Sequence, residues 1–395
     1  MTMQFTDFSK LDLQRLPSPC FVVDQVAIER NLKILNSVAQ RSGAKVLAAL
    51  KAFSMWHLGE LTASYLNGTC ASGLHEAMLG KEYYQAPDRD NEVHVYSAAY
   101  SEDDLNELLS FADHVVFNSL SQWQQFQPMI KQAKLERPQL SFGLRINPEH
   151  SEGSVPIYDP CAPGSRLGIK IAELKDQDLT GISGLHFHTL CEQGFAELDR
   201  TLVAVESKFG YLLNDMQWIN FGGGHHITAD DYDIDSLVDR IKAFSATYQL
   251  QVYLEPGEAV AIGTGVLVAQ VLDIIDSAGK QALLDTSATC HMPDTLEMPY
   301  RPDISGAGEV GQYPYNYRLG GLTCLAGDII NDYSFSEPLT IGQRLIFEDM
   351  SHYTMVKTST FNGTKLPAIA LWNSVTDELK VIKTFNYQDY KQRLS

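Results

Sequence analysis

From residue 24 to about 263, short strand-like runs alternate with longer helix-like runs, and this alternation limits the possible folds more than any other feature of the chain. Strands are predicted at 46–50, 93–97, 114–117, 141–146, 183–187, 217–221 and 251–254, with helical stretches at 102–110, 121–134, 194–208 and 233–248 between most of them. A first helix is read in "DQVAIERNLKILNSVAQRSG", opened by Asp24 as cap and stopped by Gly43. Repeated βα units imply a parallel sheet. Seven or eight of them in about 240 residues suit a (β/α)8 barrel, with a doubly wound sheet as the alternative. After residue 265 the helical alternation fades, and "GVLVAQVLDII", "QALLDTS", "RLIFEDM", "PAIALW" and "LKVIKTF" read as strands of a mostly antiparallel second domain. "SPCFVVD" near the N-terminus is expected to add a strand to it. The expected organisation is therefore a barrel over 24–263 and a β domain built from 1–23 and 264–395.

Charge and cysteine usage narrow the function. Thirty basic against 49 acidic residues leave a net charge of −19, which repels nucleic acid and anionic lipid and favours cationic small molecules. The six cysteines are scattered, with no CxxC, so neither a zinc site nor a disulfide framework is expected, and a cytoplasmic protein with reduced thiols is the natural reading. The N-terminal stretch has no apolar core of a signal peptide. The longest apolar stretch, "AVAIGTGVLVAQVLDII", falls short of the ~20 uninterrupted apolar residues of a membrane helix. It reads as two segments meeting at Gly263-Thr264-Gly265, the second a strand.

In a barrel of this kind, function sits at the C-terminal strand ends. There the sequence places Lys51 after "VLAAL", Arg145 in "GLRINP", His186 and His188 two apart on one side of "GLHFHTL", three glycines in "INFGGGHH", and Glu255 and Glu258 in "YLEPGEAV". A lysine at a strand end ordinarily marks where the strand surfaces; held at a barrel mouth, its amine can be a Schiff-base nucleophile. Three glycines let backbone N–H groups approach a phosphate, although a flexible turn explains them about as well.

Together, and in order, "ALKAFS", "TCASGLHE", "GLRINP", "SRLGI", "GLHFHTL", "INFGGGHH", "LEPGEAV", "GLTCLAGD" and "SHYTMVKTSTFNG" resemble the alanine-racemase-like, fold-type III decarboxylases that use pyridoxal 5'-phosphate, over about residues 18 to 363. That family includes ornithine, diaminopimelate and carboxynorspermidine decarboxylases, and the last of these fits best. The resemblance implies that Lys51 holds the cofactor covalently, that Glu255 faces its pyridine nitrogen, and that His188 stacks on its ring. It further implies that Gly222, Gly223 and Gly224 cradle the phosphate with Tyr353, that Arg145 and Gly257 lie at the cofactor, and that Cys324 and Asp328 enter the site from the partner subunit of a homodimer. Cys324 would protonate the product carbon.

Departures from the family pattern bear on the substrate. Glu258 stands where ornithine decarboxylases have an arginine, Cys191 where a serine meets the phosphate, Thr69 where an aspartate precedes "CAS", and Leu325 where an acid grips the substrate's far end. With Asp294 and Glu297 in a stretch similar to a substrate-contacting segment, an acidic, partly apolar pocket for a long cationic amine is expected. Glu258, Asp294 and Asp328 are the expected substrate contacts, and the roles of Glu297 and Arg301 stay open. The expected reaction is decarboxylation of carboxynorspermidine or, one methylene longer, carboxyspermidine. Ornithine or diaminopimelate decarboxylation, racemisation, and a non-catalytic binding protein are the alternatives. A binding protein is expected to lose the lysine or the glycines, and both are kept here.

Overall fold

The computed structural model describes residues 4–153 and 155–395, so residues 1–3 of the expected β domain lie outside the described residues. Two compact units are Glu29–Val260 and, together, Gln4–Ile28 and Ala261–Ser395. The divisions fall inside the first helix and just after Val260, a few residues within the expected span of 24–263.

β1, Cys20–Asp24, belongs to the second unit, and the first unit is built on a closed parallel barrel of eight strands. These are β2 (Lys45–Ala49), β3 (Gly68–Ala71), β4 (Glu92–Tyr96), β5 (His114–Phe117), β6 (Ser141–Arg145), β7 (Gly184–His186), β8 (Trp218–Asn220) and β9 (Gln251–Leu254). β9 closes the ring against β2 by pairing Lys45 with Tyr253. The barrel, not the doubly wound sheet, is the architecture.

β3 was not among the predicted strands. At four residues, opened by Gly68 and carrying one β-branched side chain, it has no apolar run to announce it. The helix predicted over 121–134 is two helices, Leu120–Gln125 and Gln127–Glu136, parted at Phe126. Pro128 is the cause: it has no N–H to give the preceding turn, and its ring crowds that turn's carbonyl.

Alternation along the strands fills the barrel in layers. Lys45, Glu92 and His114 open their strands at the N-terminal end. Leu47, Val116, Trp218 and Tyr253 pack together in the middle. Cys70, Tyr96, Arg145, His186, Asn220 and Glu255 lie at or next to the C-terminal ends. Trp218 is 3% exposed and fills space that only glycine leaves free. A Cβ on Gly184 would lie 2.0 Å from the indole, and one on Gly143 2.3 Å from it. Its Nε1 donates to Ser141 Oγ at 2.8 Å.

At the N-terminal end Glu92 takes the Lys45 ammonium and lies 2.8 Å from His94 Nε2, while the His94 and His114 rings stack at 3.9 Å and 16°. Candidate ligand atoms of Glu92, His94 and His114 lie within 4.8 Å of one another. The near-parallel rings aim their lone pairs side by side rather than at one point, and Lys45 already holds the carboxylate, so the cluster is built as an ion-pair network.

In the second unit β1 lies between β10 (Gly265–Asp276) and β16 (Ala368–Asn373), as "SPCFVVD" suggested. The sheet runs β12 (Ala307–Gly308), β14 (Ile329–Phe335), β13 (Tyr315–Gly320), β11 (Lys280–Leu284), β10, β1, β16 and β17 (Glu378–Lys383), with β15 (Arg344–Phe347) also on β10. Among the described residues only the pairs β1–β16 and β11–β13 of this sheet are parallel, so it is mostly antiparallel. Among the described residues no helix is long and apolar enough to cross a membrane.

Candidate active site

Lys51 does not end β2; it sits two residues beyond, in a turn tied down on three sides. Ala49 N–H donates to Pro256 O at 3.0 Å, Leu50 N–H to Cys70 O at 3.1 Å, and Ala52 N–H to Ala49 O at 3.1 Å. Gly257 makes this fit possible, since a Cβ there would lie 2.7 Å from that of Ala52. The Lys51 side chain faces the open barrel mouth, and protein atoms crowd its other sides. Burial lowers its pKa, as does Arg145, against the opposing pull of Cys70 and Glu255.

Its Nζ lies 3.3 Å from His188 Nε2. His188 is two residues past β7, and its Nδ1 is 3.1 Å from both N and O of Gly223. With Gly223 N–H donating to Nδ1, the ring's proton sits on Nε2 and faces the amine. Burial first, then Lys51 and Arg145, pushes this imidazole well below its ordinary pKa, so it is neutral. Arg145, 5% exposed, donates from Nη2 to His188 O at 3.1 Å and lies 4.5 Å from the centre of the Tyr96 ring.

Glu255 follows β9 directly. Its Oε1 accepts from Asn220 Nδ2 at 2.7 Å, and its Oε2 lies 3.2 Å from His186 Nε2. Burial alone would raise this carboxyl; the hydrogen bond with His186 opposes it and keeps the carboxyl below the usual carboxylate range. The structure thus keeps a carboxylate ionised within the mouth that also holds the lysine.

The glycine triplet behaves differently from expectation. Gly222 N–H donates to Asn220 Oδ1 at 2.8 Å and Gly223 N–H to His188 Nδ1 at 3.1 Å. The cradle of three free N–H groups therefore narrows to Gly224. Its φ of +85° and the 1.9 Å that would separate a Cβ from Leu190 O exclude any other residue there. Glu258 opens a short helix, with Oε2 3.2 Å from His226 Nε2. Burial pushes the Cys191 thiol up to about 11, so it stays protonated.

The remaining expected residues belong to the second unit. Cys324 is exposed, with its N–H donating to Asn362 Oδ1 at 3.0 Å, and Leu325 beside it is 46% exposed. Tyr353 lies in a turn with φ +34°. Asp328 is 3% exposed, and its two oxygens take hydrogen bonds from Ser287 Oγ, Thr289 N, Thr323 N and Thr323 Oγ1. A carboxylate so occupied ties its own loop together. Asp294 is likewise not free, because Lys357 Nζ bonds both it and Glu297. Arg301 pairs with Glu309 and covers the Tyr333 ring at 4.8 Å.

Asn220 and Tyr96 had no part in the sequence reading. The signal was present in strand alternation, which turns Asn220 inward one residue before the apolar Phe221, and Tyr96 inward two residues after His94.

A lysine amine with a lowered pKa, a carboxylate held ionised, a neutral imidazole and a bared glycine N–H form a donor set that fits a pyridoxal group. The family described as "Pyridoxal-dependent decarboxylase, C-terminal sheet domain" matches residues 20–351. A carboxynorspermidine/carboxyspermidine decarboxylase of Campylobacter jejuni is 42% identical over 391 residues, 96% of this chain and 99% of that protein. A carboxyaminopropylagmatine decarboxylase of Synechocystis sp. is 43% identical over 384 residues, 97% of this chain and 96% of that protein. The crystal structure of carboxynorspermidine decarboxylase from Campylobacter jejuni complexed with norspermidine is similar at a TM-score of 0.86 and 41% identity, covering 96% of this chain and 100% of that one. With its lysine, carboxylate and imidazole at the mouth of a parallel barrel, the chain belongs to the pyridoxal-dependent decarboxylases.

Proposed function

We propose that this decarboxylase acts on carboxylated polyamines, converting carboxynorspermidine to norspermidine and carboxyspermidine to spermidine. The observation that carries the reading is near-full-length likeness, at 42% identity, to a relative of that activity. A second reading has support of its own: carboxyaminopropylagmatine, whose tail ends in a guanidinium, is the substrate named for a relative at 43% identity. Both substrates pair an amino acid head with a cationic tail, as the charge of −19 favours.

When bound, pyridoxal phosphate supplies an electron sink for the bond to the departing carboxylate. Lys51 supplies the amine that holds the cofactor, helped by the lowered pKa that leaves its lone pair available. Glu255 would hold a proton on the ring nitrogen of the bound cofactor, and His188 would lie against its ring. Gly224 N–H, the Cys191 thiol and Tyr353 serve the phosphate, with Arg145 fixing the backbone of His188. Cys324, exposed, is the proton donor to the product carbon in the site of a second copy of this chain. The active form is a homodimer, and six free cysteines suit a cytoplasmic place for it; sedimentation that found only monomers in the active enzyme would contradict the shared site. Glu258 and Asp294 receive ammonium groups of the tail, and at Asp294 the tail must compete with Lys357.

The test is a substrate panel. Purified protein should release product from carboxynorspermidine well and from carboxyspermidine somewhat less well, since one methylene is worth only ~1–3 kcal/mol. Ornithine, lysine and diaminopimelate should hardly react. Faster turnover of carboxyaminopropylagmatine would select the second reading, and preference for ornithine or diaminopimelate would refute both.

A further inference from the structure

The function above uses Glu255 but not the side chains that hold it. Asn220, on β8, is 1% exposed, and both ends of its amide are committed. Nδ2 donates to Glu255 Oε1 at 2.7 Å, and Oδ1 accepts from Gly222 N–H at 2.8 Å. The amide cannot flip without losing both bonds. His186, on β7, is 2% exposed, with Nε2 3.2 Å from Glu255 Oε2. Its Nδ1 is buried without any hydrogen-bond partner.

That orphan nitrogen assigns the tautomer. A bare lone pair on Nδ1 leaves Nε2 as the N–H that Glu255 needs, whereas a proton on Nδ1 would leave a buried donor unmet and turn a lone pair toward the carboxylate. An imidazolium is opposed by burial and by the cations Arg145 and Lys51, with Glu255 alone pulling the other way among the strongest influences. Tyr96 packs on the ring at 5.3 Å and 30°, and Arg145 lies over the same tyrosine. The other titratable groups that bear on the pair are His188, Cys70 and His94.

We propose that His186 is a positioning residue: a neutral N–H donor that, with Asn220, grips Glu255 from two sides and fixes how its carboxylate meets the ring nitrogen of the cofactor. This rests on the proposed function. Without the donor the carboxylate turns and its charge is less well compensated, so the ring nitrogen holds its proton less firmly and the electron sink weakens. Binding of the substrate's tail is untouched.

The experiment compares cofactor-loaded wild-type enzyme with His186→Gln, whose amide N–H reaches the Nε2 position, His186→Asn, which is too short, and His186→Phe, which fills the space without a donor. Visible absorbance of the cofactor is followed against pH, with kcat and KM measured separately. Wild type and His186→Gln should share a pH profile. His186→Asn and His186→Phe should shift it and lose about 10- to 100-fold in kcat at little-changed KM, the scale of one hydrogen bond to a charged group. If the Phe variant does not fold, the Gln and Asn pair decides. Equal loss in Gln and Asn, or an unshifted profile in Asn and Phe, overturns the clamp while leaving the decarboxylase standing. A wild-type protein with no cofactor band overturns the clamp together with the reading beneath it.

Discussion

Single residues at the barrel mouth were the most legible part of the site, because their chemistry is unusual for where they stand. Lys51 follows an apolar run, and Glu255 follows another. What the sequence could not show is who holds whom: the bond of Asn220 to Glu255, that of Gly223 to His188, or Lys357 lying between Asp294 and Glu297, join residues far apart in the chain. The Lys357 contact carries a prediction. Asp294→Asn should raise KM for the carboxy-polyamine, with kcat/KM down about 10- to 150-fold, since a hydrogen bond to a charged group is worth ~1.5–3 kcal/mol. Lys357→Met should lower KM by removing the competing ammonium. Steady-state kinetics decide, with cofactor absorbance as the control for both variants, and an unchanged KM in Asp294→Asn removes this residue from the tail site.

Elements were legible where a run of apolar residues marks them and illegible where packing makes them. β3 was missed because its four residues are defined by their neighbours, Leu47–Ala49 on one side and Glu92–Val95 on the other. The glycines of β6 and β7 read as weak points in strands, yet Gly143 and Gly184 are the spaces into which β8 places Trp218. Gly184→Ala should therefore destabilise the barrel by about 1–3 kcal/mol through overpacking. Trp218→Leu should also destabilise it, through the cavity it leaves. The double variant should be more stable than the sum of the two losses predicts, by ~0.5–3 kcal/mol, because the smaller side chain yields the space the new methyl needs. Denaturant unfolding of the four proteins measures this, and strict additivity would show that the indole does not fill the glycine space.

At the scale of the whole molecule, the change from βα alternation to β-rich sequence foretold two architectures, because a period of residues along the chain survives folding. The buried histidines had no such signal. His114, His186 and His188 are pushed down chiefly by burial, His225 falls to about 3, and His291 to about 4. In the unfolded chain each takes up a proton near pH ~6.5. Below that pH the unfolded state binds more protons than the folded one, so stability present above ~6.5 is lost as pH falls toward the folded values. The melting temperature of the cofactor-free protein should be nearly flat from pH ~8 to ~7 and then fall steeply. His114→Phe should make the slope shallower by up to one proton, about 1.4 kcal/mol per pH unit. A melting temperature that is level between pH ~7 and ~5 would mean that these imidazoles titrate freely in the folded protein.

The central claim is that the lysine in the tied turn after β2 carries the cofactor. Reducing the cofactor-loaded enzyme with borohydride and mapping its peptides tests this most directly. The pyridoxyl adduct should fall on Lys51 and on no other lysine, and Lys51→Ala should take up the cofactor without being fixed to it. An adduct on any other lysine, in enzyme that is otherwise active, would contradict the assignment.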